Sequence, residues 1–314
     1  MANAKLRAFY GTSHPELGKK IIKYLRIRPG KIKLSRFACG EIYARVLENI
    51  RGHDCVIIQT CSHKVNEDLM ELFIVIDAMK RASAKTITVV MPHFGYGRQD
   101  RKAASREPIS GRLVANLLET AGADRVVTMD LHSDQIQGYF NIPVDTLTAM
   151  PLFSTYLKKK KLQDMVVVAP DTGRAKVAKK LADRIGARLA ILHKVRAGHH
   201  QSSVTHVVGY VKDKTVILTD DMIDTAGTIT GGVEALRKKG CNKDIYVAAT
   251  HALLSGPAVE RMKAAHFAEV IVTDSFPIPQ EKQFKGLKIL SAADILGEAV
   301  RRNYENRSIS SLFD

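Results

Sequence analysis

The residues best equipped for chemistry lie in one stretch, Thr215 to Gly232, which reads TVILTDDMIDTAGTITGG. Two adjacent carboxylates, Asp220 and Asp221, follow a short apolar, β-branched run, Val216 to Thr219, whose pattern predicts a buried strand. Asp224, Thr225, Ala226, Gly227 and Thr228 come next, and a helical pattern begins near Ile229. Small residues in such a turn let backbone N–H groups approach a phosphate, and the helix N-terminus adds a favourable partial charge. Thr225 and Thr228 can contribute hydroxyl donors. Carboxylates at a strand's carboxyl end sit where open α/β sheets bind ligands. They suit ribose hydroxyls, or a metal, rather than the phosphate itself. The chemistry indicated is sugar-phosphate binding. A plainer reading, a capped helix after a buried strand, accounts for a lone Asp-Thr or a lone glycine. It does not account for the acidic pair together with the T-A-G-T turn.

Other stretches carry weaker chemistry. Pro92 to Pro108, PHFGYGRQDRKAASREP, is too polar and too rich in Gly and Pro for a core element. Arg98, Arg101, Lys102 and Arg106 lie there with Asp100 and two aromatics, which suits an adenine nucleotide: charge for phosphates, a flat face for the base. It is not a dinucleotide fingerprint, because Asp100 stands where the third glycine belongs. In isolation a solvated basic loop explains it as well. Phe37 to Glu41 reads alone as a hairpin turn. His132, just past a predicted strand, is a candidate metal ligand or general acid/base, or a hydrogen-bonded structural residue. Lys194 to Ser203, KVRAGHHQSS, is a polar segment without an apolar anchor, expected to be mobile. Its Lys194 and Arg196 alternate, so both could reach one ligand. His199 and His200 are read as solvated.

The elements that must position these residues alternate along the chain. Predicted strands are Leu6–Tyr10, Ile32–Arg36, Ile42–Val46, Cys55–Gln59, Thr86–Met91, Arg125–Met129, Met165–Ala169, Arg188–His193, His206–Val208, Val216–Thr219, Ile245–Thr250, Val270–Thr273 and Leu287–Leu290. Helices are expected over Pro15–Leu25, Asn66–Arg81 and Ser110–Thr120, with Ser110 as N-cap, from Pro170 through Arg184, to Lys238, after Gly256-Pro257, and over Asp294–Arg302. This rhythm implies βαβ units, an α/β fold and mainly parallel sheets. Pro143 to Pro151 reads as a crossover between two domains, 1–147 and 148–303, with the tail 304–314 a candidate addition to the first.

Composition is that of an ordinary globular protein. The 48 Lys and Arg against 32 Asp and Glu give +16, so acidic partners are expected, polyphosphate substrates among them. The densest basic run, Lys158 to Lys161, reads as a solvated helix end. No helix-turn-helix, zinc or RNA-stacking signature supports nucleic-acid binding. The cysteines, at 39, 55, 61 and 241, lack CxxC spacing, and free thiols fit a reducing cytosol. No signal-peptide core or membrane-spanning run is present, so a cytoplasmic protein without membrane contact is expected.

In order along the chain, NIRG at Asn49–Gly52, MELFIVIDAMKRASAKTI, GYGRQDRK, REPISGRLVANLLETAGADRVVTMDLH, QIQGYFNIPVD, DDMIDTAGTI, THALLSGPAVER and the terminal SISSLF resemble ribose-phosphate pyrophosphokinases of the phosphate-activated class. A phosphoribosyltransferase would share only the DDMIDTAGT motif. The resemblance implies two phosphoribosyltransferase-like α/β domains with an active site between them. It implies transfer of the diphosphoryl group of ATP to the C1 hydroxyl of ribose 5-phosphate, giving 5-phosphoribosyl 1-diphosphate and AMP. By the same resemblance, Asp224 to Thr228 (Thr225, Ala226 and Gly227 between) hold the 5-phosphate, and Asp220 and Asp221 the ribose. Arg98, Gln99 and Asp100 flank ATP. Phe37, Cys39 and Glu41, reached across a subunit boundary, hold adenine. His132 and Asp171 bind Mg2+, and Lys194 and Arg196 are catalytic. Arg51, Ser83, Arg106, Ser308 and Ser310 form a regulatory site for activating phosphate or inhibitory ADP. A homo-oligomer, a hexamer built from dimers, is implied. Three positions depart from the family pattern. Cys39 stands where Asp or Asn is common, Arg174 where a second glycine follows Pro-Asp-x-Gly, and Val177 where Arg is common. A catalytically inactive regulatory subunit is the alternative those departures leave open.

Overall fold

The computed structural model describes residues 5–195 and 204–312. The chain forms two compact units, Met1–Thr148 with Ser275–Pro277 and Ser291–Asp314, and Ala149–Asp274 with Ile278–Leu290.

The first unit runs β1 (Leu6–Tyr10), α1 (Pro15–Leu25), β2 (Ile32–Arg36), β3 (Ile42–Val46), β4 (Asp54–Ile58), α2 (Val65–Arg81), β5 (Thr86–Val90), α3 (Ser110–Ala121), β6 (Arg125–Met129) and β7 (Val144–Leu147). Among the described residues, a parallel sheet is ordered β1-β4-β5-β6-β7, and β2 and β3 form a separate antiparallel hairpin. The sheet strands are apolar on both faces, as strands covered on both sides must be. A core around Phe9, Ile57, Leu72, Ile76, Val89 and Val126 fills the space between this sheet and its helices. β7 falls within the stretch expected to be a bare crossover. Asp130 N–H donates to Leu147 O at 2.8 Å there, so four residues pair as an edge strand despite the flanking prolines. Ser110 is the first residue inside α3 rather than its cap, and its hydroxyl turns instead to Gln99 Oε1 at 2.6 Å.

The second unit runs α4 (Met150–Lys159), β8 (Met165–Ala169), α5 (Ala175–Ile185), β9 (Arg188–Val195), β10 (Val204–Val208), β11 (Thr215–Ile223), α6 (Gly227–Lys238), β12 (Ile245–Ala252), α7 (Ala258–Ala264), β13 (Glu269–Thr273) and β14 (Leu287–Leu290). Among the described residues its sheet is ordered β10-β9-β8-β11-β12-β13-β14, parallel except for β10. Strand order reverses between β8 and β11. The carboxyl ends of these two neighbours therefore flank the crevice where doubly wound sheets bind ligands. The basic run does end a helix, α4, whose start at Met150 lies inside the stretch read as a crossover. Its last turn holds Lys158 and Lys159, while Lys160 caps it and pairs with Glu269 at 2.9 Å, over the ring of Tyr156. That lysine is thus an anchored side chain, not a solvated one.

The chain then returns to the first unit as α8 (Ala293–Tyr304), which corrects the expected boundary at 303. α8 lies against α1. A Cβ on Gly297 would fall 2.6 Å from the Tyr24 ring, so only glycine permits this approach. Tyr24 hydroxyl donates to Glu298 at 2.8 Å, and Asn303 donates to Asp145 at 2.8 Å. Helical periodicity gives α8 an apolar face but does not say which sheet that face covers.

Candidate functional site

β11 continues through the acidic pair, with Asp220 paired opposite Ala249 and Met222 opposite His251. The two carboxylates are thus fixed by sheet register rather than standing on a loop. Asp221 is buried at 4 % exposure and Asp220 is half-buried. Beyond Ile223 the chain turns through Asp224 and the exposed Thr225, and Ala226 caps α6 at φ 61°, a left-handed conformation. That turn brings Gly227 and Thr228, both exposed, to the start of α6. The first N–H groups of a helix have no partner within it, so they point outward as anion donors. The turn is braced from the segment after β12 and from α7: Ser255 N–H donates to Asp224 O at 2.9 Å, and Arg261 donates to Thr225 O at 3.0 Å. These contacts hold the cradle open, with donors already aimed.

Arg174, at the N-cap of α5, reaches this pair from the β8 side of the crevice. Its Nη2 lies 3.1 Å from Asp221 Oδ1 and its Nε 3.7 Å from Asp220 Oδ1. Asp221 N–H donates to Asp220 Oδ1 at 2.9 Å. Burial, a hydrogen bond with Asp221 and that neighbour's like charge push the Asp220 carboxyl up to about 8, while Arg174 pulls it down. Asp171 is exposed at the same turn, and its Oδ1 accepts from Arg174 N–H at 3.0 Å.

In the first unit the hairpin tip carries the expected adenine residues. Phe37 N–H donates to Glu41 O, and Gly40, at φ 96°, donates to Phe37 O, each at 2.9 Å. This closes a tight turn with Phe37 54 % exposed, one edge of its ring against Tyr43. Cys39 and Glu41 are exposed beside it. Arg36 ties the tip to Glu67 of α2 at 2.5 Å. Arg98 is exposed on the segment after β5. Gln99 accepts from Gly111 N–H through its carbonyl at 3.1 Å, and the Asp100 carbonyl accepts from the Tyr139 hydroxyl. These bonds tie that polar segment to α3 and its neighbour. His132 is exposed just beyond β6.

Of the expected catalytic residues, Lys194 belongs to β9, its backbone opposite Thr205 of β10, so the strand is two residues longer than expected. Arg196, with His199 and His200, lies outside the described residues. Among the described residues, only Ser308 and Ser310 of the expected regulatory set are bonded directly to each other. Gly52 N–H, next to Arg51, donates to Ser83 O at 2.9 Å, and the Ser308 and Ser310 hydroxyls are 3.1 Å apart. Arg302 Nη1 steadies the serine pair by donating to Ser308 O at 3.1 Å. Arg106 is exposed in a left-handed turn.

Sequence reasoning missed two roles. Arg174 stood out only as a departure from a pattern, and its pairing with Asp220 and Asp221 spans 46 to 47 residues of chain. Arg261 closes the THALLSGPAVER stretch, and nothing in that pattern marks it as a brace for a turn 36 residues earlier.

An α/β fold with a small-residue turn at a helix N-terminus and an acidic pair at a strand switch point has the architecture of the doubly wound nucleotide- and sugar-phosphate enzymes. The description "N-terminal domain of ribose phosphate pyrophosphokinase" matches residues 6–122, and "phosphoribosyl synthetase-associated domain" matches residues 195–314. The chain is 50% identical over 310 residues to the ribose-phosphate pyrophosphokinase of Bacillus caldolyticus, covering 99% of this chain and 98% of that one. It is 49% identical over 308 residues to the protein of that name from Bacillus subtilis, covering 98% and 97%. The crystal structure of phosphoribosylpyrophosphate synthetase from Mycobacterium smegmatis superposes with TM-score 0.91 at 48% identity, over 96% of this chain and 99% of that one. The chain belongs to the ribose-phosphate pyrophosphokinase family.

Proposed function

We infer that this protein transfers the β,γ-diphosphoryl group of ATP to the C1 hydroxyl of ribose 5-phosphate. A bond forms between the C1 oxygen and the β-phosphorus. The bond from that phosphorus to the α,β-bridging oxygen breaks, AMP leaves with the oxygen, and the hydroxyl proton is released. The products are 5-phosphoribosyl 1-diphosphate and AMP. One observation carries most of this reading. The turn after β11, with its exposed helix N-terminus and flanking acidic pair, supports binding of a phosphorylated ribose. Full-length similarity to relatives of that name weighs against an inactive regulatory subunit.

The 5-phosphate would lie on the N–H groups of Gly227 and Thr228, with the Thr225 and Thr228 hydroxyls donating to it. Asp220 and Asp221 would accept from ribose hydroxyls and fix which face C1 presents. The Phe37 ring, exposed at its hairpin tip, offers adenine an apolar face, with Cys39 and Glu41 at its rim. Arg98, Gln99 and Asp100 would flank the triphosphate, and Lys194 and Arg196 would neutralise charge that grows in the transition state. Phosphoryl-type transfer asks mainly for such positioning and neutralisation.

Mg2+ fits the donors present. Asp171 offers an exposed carboxylate, which suits a hard cation that takes one or two protein carboxylates and completes its shell from phosphates and water, and His132 is the second residue expected to ligate it. When bound, Mg2+ supplies neutralisation of the phosphate oxygens. Phosphate activation through Arg51, Ser83, Arg106, Ser308 and Ser310, assembly into a hexamer of dimers and a cytoplasmic location complete the proposal. Among the described residues no helix is long and apolar enough to cross a membrane.

The test is AMP formation from ATP, followed by chromatography. AMP should appear only with ribose 5-phosphate and Mg2+ present. ADP alone, or no turnover with phosphate added, would contradict the reading.

A further inference from the structure

Arg174 pairs with both members of the acidic pair. It comes from a different turn, after β8, and crosses the switch-point crevice to do so. Its guanidinium is largely shielded, with the side chain 18 % exposed, and it faces carboxylates that are 15 % and 4 % exposed. Two adjacent carboxyl groups this buried repel each other when both are ionised, and each costs desolvation when charged. A planar guanidinium with separate Nε and Nη2 donors can engage both, which a single ammonium cannot do with the same geometry. The turn is itself pinned, because Arg174 N–H donates to Asp171. The root of the side chain is therefore held where its head can span the pair.

We propose that Arg174 is a positioning residue for ribose 5-phosphate: its guanidinium holds Asp220 and Asp221 together in the orientation that accepts the ribose hydroxyls. The proposal rests on the reading of Asp220 and Asp221 as the ribose site. On this view Arg174 does not touch the sugar. It acts through the two carboxylates, so its loss weakens ribose 5-phosphate binding and leaves the phosphoryl-transfer step nearly intact.

The experiment compares the full-length parent with Arg174→Met, Arg174→Lys, Asp221→Asn and the double variant Arg174→Met/Asp221→Asn. Calorimetric titration with ribose 5-phosphate alone gives Kd, and steady-state kinetics gives KM for each substrate and kcat. Arg174→Met should raise Kd and KM for ribose 5-phosphate about tenfold, equivalent to ~1.4 kcal/mol. KM for ATP and kcat should change less than about twofold, which separates positioning from general damage to the fold. Arg174→Lys, which keeps the charge and most of the volume, should fall between parent and Met. It also serves if the Met variant does not fold. In the Asp221→Asn background, Arg174→Met should add little, because the two side chains act as a unit. An unchanged or lowered KM for ribose 5-phosphate in Arg174→Met, with Asp221→Asn weakening binding, would overturn the role of Arg174 alone. A lowered KM would mean that the guanidinium competes with the sugar. If Asp221→Asn leaves ribose 5-phosphate binding untouched, the ribose reading of the pair fails, and the proposal fails with it.

Discussion

Asp220 sits in a strand, beside a second carboxylate and under an arginine, and its proton affinity records all three. With its carboxyl raised to about 8 against 3.8 for the ordinary group, the folded protein holds a proton that the unfolded chain releases across that interval. Stability from this group is full below 3.8 and is lost as pH rises toward about 8. Asp220→Asn removes the titration. Thermal unfolding of the variant should therefore depend less steeply on pH across that window than the parent's, with the variant gaining relative stability at the alkaline end. Parallel Tm–pH curves for the two proteins would contradict a raised Asp220. At this scale the sequence was informative where neighbours in space are neighbours in the chain. Asp220, Asp221 and the Thr225–Thr228 turn could be read together because one strand–turn–helix carries them. Arg174 could not, because its partners lie on another strand whose adjacency follows from sheet order alone. Nor did the pattern show that the Asp pair is held inside β11, since polar residues in a short strand look like its end.

Among the elements, α6 does most to aim the site, and a glycine pair shows how it is seated. A Cβ on Gly232 would lie 2.3 Å from Leu192 Cδ1 of β9, whereas around Gly231 nothing lies within 4 Å. Both glycines weaken a helix by roughly 0.5–1 kcal/mol relative to alanine. Gly231→Ala should raise stability by about that amount. Gly232→Ala should lower it by roughly 1–3 kcal/mol, because the buried Leu192 must shift to make room. Because α6 would lift from the sheet, the Gly232 variant should also bind ribose 5-phosphate more weakly. Chemical denaturation of both variants checks the pair, and equal effects of the same sign would refute this seating of the helix. Long apolar strands and amphipathic helices were legible from periodicity, and β1, α1, β2, β3, β6, β8 and β14 match residue for residue. β7 and the start of α4 were hidden because prolines at 143 and 151 read as breaks. Pro151 instead falls in the first turn of α4, where a missing N–H costs nothing.

At the scale of the whole molecule, the α/β class followed from alternation of strand and helix, but the course of the chain did not. α8 returns to the first unit because Gly297 fits under Tyr24 and Asn303 reaches Asp145, contacts between residues more than 150 positions apart. The terminal segment follows it, with Arg302 holding the Ser308–Ser310 turn. These bonds at Ser308 and Ser310 suit the proposed phosphate site. Activity should rise with added phosphate in the parent and respond less in Arg51→Ala, and light scattering should give a hexamer. Equal activation in both proteins would remove Arg51 from the site, and a fully active monomer would refute the assembly.

The central claim is that the β- and γ-phosphates of ATP move together to ribose C1. Phosphorus NMR of a reaction containing ATP, ribose 5-phosphate and Mg2+ follows all three phosphates at once. The expected spectrum shows AMP growing in step with a new pair of mutually coupled diphosphate resonances, one of them on the sugar's C1 oxygen. ADP with a singly phosphorylated C1, or free orthophosphate in place of the coupled pair, would contradict the claim.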